Sequence, residues 1–163
     1  SSGKTTLASR LATATGWPLI PEFARTDPAV LARTHGPDDL ERILHAQHAA
    51  ARAFPPTQPV LCDTGAIVLS LWSEIRFHRP LPGAEAIARC ARIHLLCAPD
   101  LPWESDPLRE SPNLSERMEL HARYLHRLRA WGIPHVTIRG NALEGRFHQA
   151  ASALHNVGFD VSE

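Results

Sequence analysis

Apolar residues in this chain fall into two kinds of run. Four runs are short and nearly continuous, at 17–23, 59–63, 93–97 and 135–138. Each is closed by proline, glycine or polar residues and reads as a strand. The other runs repeat at helical spacing. Leu7, Leu11 and Ala14 predict a helix over 4–15, with Gly16 as its stop. Leu40, Ile43, Leu44 and Gln47 predict a second over 37–54, with Pro37 in its first turn and Pro55-Pro56 ending it. Further helices are expected over 66–76, 84–91, 115–131 and 143–157, with Ser115 as a cap candidate for the third of these and Gly132-Ile133-Pro134 as its break. The polar stretch 103–113 reads as an exposed loop.

Strands separated by helices imply parallel βαβ units with helices on both faces of the sheet. Such sheets bind ligands at the carboxyl ends of their strands. The polar residues that follow the strand-like runs therefore matter most: Glu22 and Arg25, Asp63 and Thr64, Asp100, and the Gly140 turn. They are expected to converge on one edge. Any single acid in such a place also serves as a helix cap or turn former.

The first six residues, Ser1-Ser2-Gly3-Lys4-Thr5-Thr6, match the second half of the G-x-x-x-x-G-K-[ST] phosphate loop. In that loop backbone N–H groups cradle phosphates, the lysine reaches the β- and γ-phosphates and the hydroxyl holds Mg²⁺. Gly3 takes the place of the second glycine, Lys4 of the lysine and Thr5 of the metal ligand. The same letters also fit an ordinary helix start with Ser2 as N-cap. Lys4 is the only lysine of the chain, in a composition that otherwise uses arginine. The helix expected directly after it suits an anion at its N-terminus. The first glycine of the motif and the strand that feeds it would lie upstream of Ser1. Residues 1–163 thus read as a single P-loop domain, N-terminally incomplete, with a first strand missing and five strands when it is added.

Composition narrows the classes. A length of 163 residues suits one domain. A content of 44% apolar and 21% charged residues is that of an ordinary globular protein. A net charge of zero gives no global field to recruit nucleic acid or an anionic membrane, and no apolar run reaches the length of a membrane span. Cys62 and Cys97 sit in apolar runs and are expected to be buried free thiols of a reducing cytoplasm. His45 with His48, or His121 with His126, share helix faces but lack zinc-site spacing, so they read as solvated.

The phosphate loop is joined by Pro21-Glu22-Phe23-Ala24-Arg25, Cys62-Asp63-Thr64, Ala98-Pro99-Asp100-Leu101-Pro102-Trp103 and Asp106-Pro107-Leu108-Arg109. With these the chain resembles the NadR-like ribosylnicotinamide kinases, AAA_28-like P-loop kinases that phosphorylate nicotinamide riboside with ATP. The resemblance runs over nearly the whole chain, through Gly140 and Arg146. Gly65 stands where the family's D-T-D carries a second acid, and Pro107 replaces the lid glycine of D-G-x-R.

The resemblance implies a three-layer, nucleoside-kinase-like P-loop NTPase fold and transfer of phosphate from Mg·ATP to the riboside 5′-hydroxyl, giving nicotinamide mononucleotide in NAD salvage. It assigns ATP to Ser1, Ser2, Gly3, Lys4, Thr5, Thr6 and Arg109, and Mg²⁺ to Thr5 and Asp63. Glu22 or Asp63 would take the hydroxyl proton, and Arg25 would orient substrate or phosphate. Arg109 would close over the γ-phosphate. Asp106 falls with the substrate, while Trp103 either stacks on the cationic nicotinamide ring or anchors its loop in the core. Family members can carry an adenylyltransferase domain, of which this sequence shows no trace. Other readings are a P-loop ATPase or nucleotide-sensing module, a kinase for another nucleoside-like acceptor, and a binding module with a decayed site.

Overall fold

The computed structural model describes residues 2–102 and 113–161. In chain order its elements are α1 (Lys4–Thr15), β1 (Leu19–Ile20), a 3₁₀ turn (Phe23–Arg25), α2 (Pro28–Leu31), α3 (Pro37–Arg52), β2 (Leu61–Cys62), α4 (Ala66–Phe77), α5 (Ala84–Ala88), β3 (His94–Cys97), α6 (Leu114–Ala130), β4 (His135–Ile138) and α7 (Leu143–Asn156). They form two compact units, one of Pro18–Cys90 and one of Ser1–Trp17 with Ala91–Glu163. Both are α/β, and all described strand pairing is parallel, as the alternation of runs predicts.

In the Pro18–Cys90 unit, β1 pairs with β2, Leu19 opposite Leu61 and Ile20 opposite Cys62. Both strands are shorter than their apolar runs. Pro18, Pro21 and Pro59 have no N–H to give a ladder, and past Ile20 the chain turns into the 3₁₀ segment. Cys62 is exposed, not buried as its apolar run implies, whereas Cys97 is buried. The core is built by α3 and α4, with Leu40, Ile43 and Leu44 buried from one and Ile67, Leu69 and Leu71 from the other. Each such side chain contributes on the order of 1.5–3 kcal/mol by leaving water. The first turn of α3 carries Pro37, Asp38 and Asp39, and Asp39 Oδ2 accepts the Gly36 N–H at 2.9 Å. The short α2 has no hydrophobic period of its own. Asp27 starts it, accepting from the N–H groups of Ala29 (3.0 Å) and Val30 (3.2 Å).

In the second unit β3 and β4 run parallel with His94 opposite His135 and Cys97 opposite Ile138. The helix α7 packs on α1 and on β4. Leu7, Leu11, Leu128, Ile138, Phe147, Ala150 and Leu154 fill the core. The cap of α6 is Asn113, two residues before the expected Ser115. Its Oδ1 accepts the backbone N–H and the hydroxyl of Ser115, both at 2.9 Å.

Candidate functional site

The candidate phosphate loop lies in the unit that holds α1. Gly3 has φ +67°, a left-handed conformation that glycine adopts without cost. A Cβ there would also lie 2.6 Å from Leu101 Cδ1, so that side chain would have to move aside. The helix α1 starts at Lys4, with no side chain capping it and no acid in its first turn. Ser2 therefore is not the N-cap that a plain helix start would have made it. Lys4 is half-exposed, and Thr5 and Thr6 are exposed. An uncapped helix N-terminus beside a lysine suits a phosphate group. The hydroxyl of Thr5 is the kind of hard oxygen donor that Mg²⁺ takes.

Arg146 of α7 holds this end of the unit together. Its side chain is only 1% exposed. Nε donates to the Gly140 carbonyl (2.6 Å), Nη1 to the Ser2 carbonyl (2.6 Å) and Nη2 to the Ala98 carbonyl (2.9 Å). Nη2 also donates to Asp100 Oδ1. The other Asp100 oxygen accepts the Gly140 N–H at 2.6 Å. One guanidinium thus ties the phosphate loop to the ends of β3 and β4. Gln149 brackets the same turn, accepting from Arg139 N at 3.0 Å and donating to Arg139 O at 2.8 Å. Asp100 and the Gly140 turn do meet the phosphate loop, as their strand-end positions predict. In the sequence Arg146 stands out only as a charge between apolar Leu143 and Phe147.

The candidate acids lie in the Pro18–Cys90 unit, at the carboxyl ends of β1 and β2. Glu22 Oε2 accepts from Arg25 Nε at 2.9 Å, and the Glu22 side chain is 17% exposed. Asp63 is buried, and its N–H continues the ladder to the Ile20 carbonyl at 3.0 Å. Thr64 is buried beside it, its hydroxyl without a hydrogen-bond partner among the described residues. Between the two segments stands Gln47 of α3. Its Oε1 accepts the Phe23 N–H at 3.3 Å, and its Nε2 donates to the Thr64 carbonyl. Its helical spacing with Leu40, Ile43 and Leu44 marks Gln47 as core-facing. A polar residue on that face was the signal of a buried hydrogen-bonding task.

Ser1, Trp103, Asp106, Pro107 and Arg109 lie outside the described residues. His121 departs from expectation: it is 8% exposed on α6 rather than solvated, and neither ring nitrogen has a hydrogen-bond partner among the described residues. Trp72 is half-buried against the His35 ring, with centroids 5.0 Å apart, in keeping with a core role. Among the described residues no helix is long and apolar enough to cross a membrane.

A family model described as an AAA domain matches residues 1–146. No curated protein matches the chain. Among solved structures the chain is similar to the crystal structure of a NadR protein in complex with NR, at a TM-score of 0.72 and 22% identity. The match covers 99% of this chain and 50% of the other, so the chain spans about half the length of that structure. At this identity the likeness establishes the fold.

Proposed function

The chain belongs to the AAA domain family, AAA_28, and from that premise we propose that it is a P-loop kinase that transfers phosphate from ATP to the 5′-hydroxyl of nicotinamide riboside. The observation that carries the reading is the S-G-K-T-T segment running into the uncapped N-terminus of α1, with the chain's only lysine at its first position. The likeness to a NadR fold solved with NR supports the acceptor. On this reading nicotinamide mononucleotide is the product, the reaction is one of NAD salvage, and we propose the cytoplasm as its compartment. Residues 1–163 are read as a single kinase domain.

Lys4 and the loop amides bind the ATP phosphates, and Thr5 with Asp63 serves Mg²⁺. When bound, the metal neutralises charge on the β- and γ-phosphates. Glu22 accepts the proton of the riboside hydroxyl, or exchanges that role with Asp63, and Arg25 keeps the Glu22 carboxylate in place. Arg109 closes over the γ-phosphate, and Trp103 and Asp106 meet the cationic ring.

A panel of nucleosides, assayed by ADP release with Mg·ATP and the intact protein, tests the reading. Nicotinamide riboside is expected to be phosphorylated in preference to uridine and adenosine, and Lys4→Ala to abolish turnover. Equal turnover of all acceptors defeats the substrate assignment. Nucleoside-independent ADP release favours an ATPase or nucleotide sensor. Undiminished turnover by Lys4→Ala removes the phosphate-loop assignment.

A further inference from the structure

We propose that Gln47 is a positioning residue that sets the candidate acids, holding the segments that carry Glu22 and Asp63 in one register. The inference rests on the kinase reading given above. Gln47 grips the residue immediately after each acid: its Oε1 accepts the Phe23 N–H at 3.3 Å, and its Nε2 donates to the Thr64 carbonyl. These partners lie 24 residues before it and 17 after it in the chain. A side-chain amide, with an acceptor and a donor on one short group, can bridge an N–H to a C=O in this way. The partners also fix which end of the amide faces which segment, because a flipped amide would set donor against donor and acceptor against acceptor.

The bridge is built on a firm base. Gln47 is 6% exposed and lies on the face of α3 that buries Leu40, Ile43 and Leu44. The strands beneath it are short. The β1–β2 register covers two residue pairs, extended by the Leu61 N–H to Pro18 O bond at 2.9 Å and the Asp63 N–H to Ile20 O bond at 3.0 Å. Beyond Ile20 and Cys62 the paired strands end. There the Gln47 amide continues the connection between the two segments. Phosphoryl transfer depends on positioning more than on covalent chemistry, so a shift of a carboxylate lowers turnover without necessarily weakening ATP binding.

The test compares wild type with Gln47→Leu, which keeps the bulk and loses both hydrogen bonds, and with Gln47→Glu, which keeps the acceptor and loses the donor. Two readouts are taken: steady-state kinetics with Mg·ATP and nicotinamide riboside, and hydrogen exchange of the Phe23 amide. Both variants are expected to lower kcat by about 10- to 100-fold, with KM for ATP within about twofold of wild type. Gln47→Leu is expected to speed Phe23 exchange by about tenfold or more while distant core amides keep their protection. A loss of stability alone would instead speed exchange throughout the core. If Gln47→Leu fails to fold, Gln47→Glu carries the kinetic readout and Gln47→Ala, which also loses the acceptor for the Phe23 N–H, carries the exchange. Wild-type kcat in folded variants, with wild type active, overturns the proposal and leaves the kinase reading standing. A wild type inactive on every nucleoside sinks the kinase reading instead. Phe23 exchange then decides alone: unchanged exchange overturns the bridge, and faster exchange supports it.

Discussion

Burial and the Arg139 cation hold the His121 imidazole below its ordinary pKa of 6.5, against an opposing pull from Asp100. The folded chain therefore keeps this ring neutral at a pH where the unfolded chain protonates it. The sign of the linkage follows: stability from the neutral ring is full above about pH 6.5 and is lost as the pH falls from there through the lowered folded value. His121→Leu is expected to flatten the fall of the thermal midpoint between pH 7 and pH 5.5 relative to wild type, the other nine histidines being common to both chains. An unchanged slope would show that the buried ring is not the group that titrates. Asp27 shows the opposite chemistry. Burial raises its pKa, but the Arg42 guanidinium at 2.8 Å and the N–H groups of Val30 and Ala29 outweigh this and leave it lowered. The arginines in these environments, Arg42 and Arg139, were not legible in the sequence because they come from other parts of the chain, whereas the cap bonds of Asp27 are local.

At the scale of elements, one arginine joins the phosphate loop, β3, β4 and α7. Arg146→Met keeps most of the volume but strands Asp100 and removes the donors to three carbonyls. Breaking a buried pair costs about 3–5 kcal/mol, and the lower end is expected because Asp100 is 35% exposed. Urea unfolding measures it, and a loss below about 1 kcal/mol, the range of an exposed pair, would show that the network holds little. The helices themselves were readable. The α1 and β4 bounds match the expected ones, and α3, α4, α6 and α7 differ by one or two residues, because apolar period and proline or glycine stops agree there. The two-residue strands and α2 were not, for opposite reasons. Apolar runs at 17–23 and 59–63 overstated the pairing that prolines allow, while four residues are too few to show a period. Only Asp27-Pro28, a cap followed by a first-turn proline, announced α2.

Over the whole molecule, the places of the candidate residues in the fold were more legible in the sequence than the side chains that link them. Gly3, Lys4, Glu22 and Asp63 stand at the helix start and strand ends where the pattern puts them, since the carboxyl edge of a parallel sheet is a property of topology. Gln47 and Arg146 join those residues, and their partners lie far along the chain, where no local spacing points to them. A net charge of zero with a single lysine has a practical outcome as well. Acylating reagents that seek amines at neutral pH meet one side-chain target in these 163 residues, Lys4, besides whatever α-amino group begins the chain. Because Lys4 is half-exposed, stoichiometric acylation followed by peptide mass mapping should mark this one position, and Mg·ATP should shield it. Labelling indifferent to the nucleotide would place the phosphates elsewhere. The protein thus arrives with its own singly addressable position, and the extent of acylation there would itself report nucleotide occupancy without engineering a residue.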